Sequence, residues 1–138
     1  MLDLTSLKKS INVLDNLIIE ISGNIFKTLD NVLQDGLKAG VIQNFEVSYE
    51  LAWKFMKRYL EENLGNIYVD GVSRKELFRL ACETGLIADV EQWFIYHRAR
   101  NETSHTYDGV TAEEVFIIAQ NFIHDVKSFL TNLELKND

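Results

Sequence analysis

The chain has no proline, a single cysteine, three histidines and two tryptophans in 138 residues. Without proline nothing in the chain forces a helix to break or kink, which favours long helices. Cys82 alone excludes an internal disulfide and fits a reducing compartment, so a cytoplasmic location is expected. One cysteine with scattered histidines lacks the paired spacing of a zinc site, and no cofactor motif is present, so neither a metal nor a cofactor is expected. Basic residues are also scarce: 14 Lys and Arg against 21 Asp and Glu give a net charge of −7. That balance excludes broad, non-specific RNA binding and confines any nucleic-acid contact to a local basic group. No apolar run approaches membrane-spanning length. The start, Met1-Leu2-Asp3-Leu4, has no basic segment ahead of a long apolar core, so neither a membrane span nor a signal peptide is expected.

What is present is a helical pattern on a chain that is 46% hydrophobic. It suits one domain over residues 1–138 with its own core. Leu4, Leu7, Ile11, Leu14, Ile18 and Ile21 recur in steps of three and four, predicting a first helix that ends near Gly23. A short helical piece is expected from Ile25 to about Leu33, with Gly36 and Gly40 loosening the connection. From Val41 a stripe of Phe45, Tyr49, Ala52, Met56 and Tyr59 predicts a long helix ending at Gly65. Asn66 to Val72 is the least regular stretch. Ser73-Arg74-Lys75-Glu76 has capping-box spacing for a short third helix closed by Gly85. Asp89 is placed to cap a fourth helix carrying Trp93, Phe94 and His97. Thr111-Ala112-Glu113-Glu114 offers a second capping box, ahead of a last stripe of Val115, Ile118, Phe122, Val126, Phe129 and Leu133. The tail after Leu135 is expected to fray. Together these predict an all-α fold: an antiparallel up-and-down four-helix-type bundle with an additional short helix.

The run Arg100-Asn101-Glu102-Thr103-Ser104-His105-Thr106-Tyr107-Asp108 stands apart from this pattern, since it contains no large aliphatic residue. A stretch that polar faces water or a ligand, and it sits where a packed helix hands over to a turn at Asp108-Gly109. Arg offers phosphate a planar fork of donors and stays charged. His titrates near neutrality and can take a proton from a ribose 2′-hydroxyl or return one to a leaving 5′-oxygen. Two local basic groups accompany it: His97-Arg98-Ala99-Arg100, and Lys54, Lys57 and Arg58, the latter read as solvated helix surface. Trp53 and Trp93 read as core, His124 as surface, and Glu102 and Asp108 as surface or turn contacts rather than a catalytic carboxylate pair.

The spacing Arg-x4-His-x-Tyr, on Arg100, His105 and Tyr107, resembles the signature of HEPN domains, small helical proteins many of which are RNases. Phe45-Glu46-Val47-Ser48-Tyr49-Glu50-Leu51-Ala52-Trp53-Lys54, Gly85-Leu86-Ile87 and the Arg100 to Asp108 run resemble successive blocks of the HepT-like, nucleotidyltransferase substrate-binding family. The resemblance implies a partner, a minimal nucleotidyltransferase. It further implies a toxin and antitoxin relation in which such a partner modifies the motif tyrosine, here Tyr107, with AMP.

Read with that resemblance, His105 is the candidate general base or acid, Arg100 the stabiliser of charge on the phosphate, and Asn101 an orienting group. Tyr107, Ser104 and His97 are candidate substrate-binding or regulatory residues. The expected reaction is metal-independent RNA cleavage through a 2′,3′-cyclic phosphate. On one continuous helix at about 100° per residue, His105 lies roughly 140° from Arg100, while Asn101 and His105 are neighbours. Either the helix ends near Ser104 and swings His105 back, or a second copy completes the pocket, and HEPN proteins resemble the second case as homodimers. The alternative reading is a non-catalytic binding subunit that presents a substrate, or itself, to the nucleotidyltransferase.

Overall fold

The computed structural model describes residues 1–106 and 108–137. Seven α-helices are found among the described residues: α1 (Thr5–Ser22), α2 (Asn24–Thr28), α3 (Asn31–Leu64), α4 (Asn66–Val69), α5 (Arg74–Glu83), α6 (Val90–Glu102) and α7 (Gly109–Lys136). A 3₁₀ turn, Thr103–His105, follows α6. The all-α bundle is as predicted, with α1, α3, α6 and α7 as its long members and α5 packed against α3 and α6. No described helix is long and apolar enough to cross a membrane.

The heptad-like stripes do bury. Leu7, Ile11, Leu14 and Ile21 of α1 are in the core with Phe45, Tyr49, Ala52 and Met56 of α3. Where α1 and α3 approach, buried Ser48 donates its hydroxyl to the Ser10 carbonyl oxygen at 3.2 Å and Ser10 to that of Leu7 at 2.9 Å. Both small side chains are thereby satisfied without water. Phe122 of α7 is the hub of the core. Its ring stands edge-on to Phe45 at 5.1 Å, Tyr96 at 5.0 Å and Trp93 at 5.5 Å, an arrangement aromatic quadrupoles favour.

Four local expectations are corrected. α3 begins at Asn31, not Val41, and runs through Gly36 and Gly40. Asp30 starts it, accepting from the Leu33 amide at 2.9 Å, and packing outweighs the roughly 1 kcal/mol that each interior glycine costs. Asn66 to Val72 holds a helical turn, α4, anchored by the buried Val69 and bracketed by Gly65 and Gly71 at positive φ. At α7 the cap is Asp108, whose carboxylate accepts from the Val110 amide at 3.0 Å and the Thr111 hydroxyl at 3.3 Å. Thr111 therefore lies inside the first turn rather than capping it. The tail does not fray up to Asn137, whose amide accepts from the Leu2 nitrogen at 2.8 Å and donates to the Leu2 carbonyl at 2.9 Å. By contrast, Ser73 and Asp89 cap α5 and α6 as their spacing predicts, accepting from Glu76 at 3.2 Å and Gln92 at 3.1 Å.

Candidate functional site

α6 carries the polar run to the edge of the bundle and presents it against α3. Arg100, half-buried, points inward: its Nε donates to Glu50 at 3.1 Å, an Nη lies 3.7 Å from Glu46, and the other Nη donates to the Thr103 hydroxyl at 3.2 Å. Thr103 in turn donates to Glu46 at 2.8 Å and lies 2.7 Å from the Arg100 carbonyl oxygen. Glu46 and Glu50 are one turn apart on α3, so a single helix face supplies both carboxylates. The guanidinium is thus held in one orientation by two elements.

Past Glu102 the chain tightens into the 3₁₀ turn, where successive residues step by about 120° rather than 100°. That step widens the angular separation of Arg100 and His105 instead of closing it. His105 is exposed. Ser104 donates to the Asn101 carbonyl at 3.2 Å, so its hydroxyl serves the helix end. Tyr107 lies outside the described residues.

One turn before Arg100 on α6, His97 is half-buried and wired to α3 and α5. The Tyr49 hydroxyl lies 2.9 Å from His97 Nδ1 and accepts from Arg74 at 3.0 Å. Burial pushes the Tyr49 phenol up to about 12, against the pull of Arg74, so it keeps its proton. With Arg74 donating to the oxygen, that proton is directed to His97 Nδ1, which leaves the ring's own proton on Nε2. Burial, with Arg74 second, holds His97 below its ordinary pKa, in keeping with a neutral ring. The Asn101 Nδ2 lies 3.5 Å from His97 Nε2.

Trp53, expected in the core, is half-buried and belongs to this network. Its indole N–H donates to Glu50 at 3.0 Å, and the Arg74 guanidinium stacks over its ring at 3.6 Å. Trp93 and His124 stand as expected, buried and exposed. Two cavities flank the polar helix end. One of about 470 Å³ runs between α3 and α7, lined by Lys38, Ile42, Glu46, Thr103, Glu113 and Phe116 among others. The other, about 390 Å³, lies between α3, α5 and α6, with Trp53, Lys57, Arg74 and His97 in its wall. Among the described residues no three His, Cys, Asp or Glu side chains converge as a metal ion would require.

Sequence reasoning missed Glu46, Glu50, Tyr49, Thr103 and Arg74 as members of the site. Glu46 and Glu50 carried a signal, two acids one turn apart on an otherwise apolar stripe. Arg74 carried none, since it reads as one letter of a capping box.

Residues 2–135 match the model of the family described as nucleotidyltransferase substrate binding protein like. The chain belongs to that family. A relative from Haemophilus influenzae, named probable ribonuclease HepT, is 36% identical over 138 residues, covering 99% of this chain and 94% of the relative. A solved Haemophilus influenzae structure, described as revealing the fold of a substrate binding domain of a nucleotidyltransferase, superposes with a TM-score of 0.91. It is 34% identical and covers 96% of this chain and 99% of its own. A Thermus thermophilus structure, 26% identical, gives 0.72 over 92% of this chain and 98% of that one. Membership in the substrate-binding family thus spans the whole bundle, including α3, α6 and the turn that bear the polar site.

Proposed function

We propose that the protein is an HEPN toxin-like, metal-independent endoribonuclease of a toxin-antitoxin pair, controlled by a cognate minimal nucleotidyltransferase. The observation that carries this reading is the end of α6: a guanidinium held by Glu50, Glu46 and Thr103, with an exposed imidazole on the adjoining turn. A preorganised cation on the same helix end as an imidazole, a side chain that can accept and return a proton, suits in-line attack by a ribose 2′-hydroxyl. His105 takes the 2′-proton, the 2′-oxygen bonds to phosphorus, and the P–O5′ bond breaks. The 5′-oxygen leaves with a proton from a second acid, and a 2′,3′-cyclic phosphate remains. Arg100 stabilises the added charge, and Asn101 orients the phosphate. In a two-fold dimer a second copy of the motif completes each pocket. Val110 and Ile117, exposed by 69% and 52% on one face of α7, are available to that contact. AMP added to Tyr107 would add negative charge to the polar run and oppose an anionic substrate.

A second reading is favoured by one observation: every nitrogen group of the Arg100 fork already has a partner, two of them carboxylates. The carboxylates compensate the charge that an anion would otherwise meet there, which suits a non-catalytic subunit presenting a substrate or itself to the nucleotidyltransferase. Purified protein with unmodified Tyr107, verified by intact mass, is tested on varied RNAs in excess EDTA beside His105→Ala. Cutting by the parent and not by the variant supports the ribonuclease. No cutting by either, with a stable complex with the nucleotidyltransferase, moves the assignment to the binding subunit.

A further inference from the structure

Every Lys and Arg that forms an ion pair among the described residues is accounted for by Lys8, Lys38, Lys75, Arg79, Arg100 and Lys127. Arg74 is not among them, yet it is half-buried, stacked on Trp53 at 3.6 Å and hydrogen-bonded to Tyr49 at 3.0 Å. Those two contacts fix the plane of the guanidinium and neutralise none of its charge. The cavity beside it is lined by Lys57 as a second cation without an ion pair, by Ser73 at the start of α5 and by His97, and no carboxylate lines it. In a chain of net charge −7 this is a local concentration of unbalanced positive charge in a concave site. Its volume of about 390 Å³ is that of a ligand pocket. A half-buried guanidinium held flat, with donors to spare and no ion pair among the described residues, is suited to an anion.

We infer that this cavity between α3, α5 and α6 is a phosphate-binding subsite, in which Arg74 and Lys57 hold a backbone phosphate of a single-stranded RNA whose neighbouring segment lies at Arg100 and Asn101. The inference rests on the ribonuclease reading for the identity of the strand. Continuity between the two places runs through His97, which forms part of the cavity wall and faces Asn101 at 3.5 Å, one helical turn on. The subsite offers positive charge that no ion pair compensates, whereas that of Arg100 is shared with two glutamates. RNA binding is thereby local, as the overall acidity requires.

The test uses a labelled single-stranded oligoribonucleotide made uncleavable by 2′-O-methylation, with binding followed by fluorescence anisotropy between 50 and 200 mM salt. Arg74→Ala is expected to weaken binding about fivefold or more at 0.1 M salt and to lower the log–log salt slope by about 0.7, the signature of one lost single-strand phosphate contact. Lys57→Gln, which disturbs no hydrogen bond of the network, shifts affinity and slope in the same direction and decides the matter if Arg74→Ala unfolds by circular dichroism. Parental affinity and slope in a folded variant of each residue overturn the subsite. Arg74-dependent binding of ATP that is tighter than that of the oligonucleotide overturns the backbone assignment in favour of a free nucleotide. Cleavage of RNA by a parent whose Arg74 and Lys57 variants bind normally sinks the subsite and leaves the ribonuclease reading intact. Arg74-dependent binding with no His105-dependent cleavage does the reverse.

Discussion

Two half-buried arginines lie on either side of the same polar helix end, and they are held in opposite ways. Arg100 is gripped by Glu50 at 3.1 Å and Glu46 at 3.7 Å, so its direction is set at the expense of its free charge. Arg74 is held by an aromatic face and a hydroxyl, so its direction is set and its charge remains. The cavities follow suit: the one beside Glu46 includes Asp35, Glu46 and Glu113 in its wall, while the one beside Arg74 is lined by no acid. What separates them is the type of restraint, since an ion pair orients and neutralises at once whereas stacking only orients. A group that must meet charge developing in a reaction gains from being aimed; one that captures a phosphate gains from being unpaired.

The sharpest way to break this comparison is to remove each arginine in turn. Arg100→Ala should lower RNA cleavage by about 100-fold or more, as loss of a charge-stabilising donor does, while single-strand affinity changes little because the charge was already balanced. Single-turnover rates and anisotropy on the same preparation separate the two effects, and an unchanged rate would remove Arg100 from the chemistry. Next in size is the conversion of Arg100 into something more like Arg74. Glu46→Gln with Glu50→Gln should raise single-strand affinity about fivefold at 0.1 M salt and steepen the salt slope by about 0.7, one added phosphate contact. Unaltered salt dependence would mean that the glutamates do not mask the guanidinium.

Smaller effects test the Arg74 side. Tyr49→Phe removes the hydroxyl between Arg74 and His97 and leaves the buried ring in place, so unfolding by urea should show a loss of about 1–3 kcal/mol. Loss of the Nδ1 partner should also appear in the ¹⁵N shifts of His97 as a change of tautomer. The smallest expected effect concerns pH. His97 has its folded pKa lowered, first by burial and then by Arg74, from an ordinary value of 6.5. Below about 6.5 the unfolded chain takes up a proton that the folded chain refuses. Stability from this group is therefore complete above that pH and falls as pH drops toward the lowered folded value. Melting temperatures between pH 7.5 and 5 should decline less steeply in His97→Gln than in the parent; parallel curves would mean the ring titrates alike in both states.

Much of this was legible in the sequence, and the reasons differ by region. Stripes such as Leu7, Ile11 and Leu14 recur because a helix face must bury, so the periodicity carries the element. Ser73 and Asp89 announce helix starts because a cap is a local chemical need met by local residues. Gly36 and Gly40 misled because their cost is about 1 kcal/mol each, less than the packing of a 34-residue helix returns. Arg100 and His105 stood out through an uninterrupted polar run, whereas their partners could not, since Glu50 is fifty positions away from Arg100.

The sequence by itself determined the all-helical class, the single bundle, most helix ends and the place of the polar run, because each depends on residues within a few turns of one another. Only the tertiary structure decided which charges are balanced. Pairing Arg100 with Glu46 and Glu50, leaving Arg74 stacked on Trp53 without a counter-charge, and joining His97 to Tyr49 all require α3, α5 and α6 to be packed in one particular register. Electrostatic pairing acts over a few ångströms in space, and distance along the chain carries no record of it.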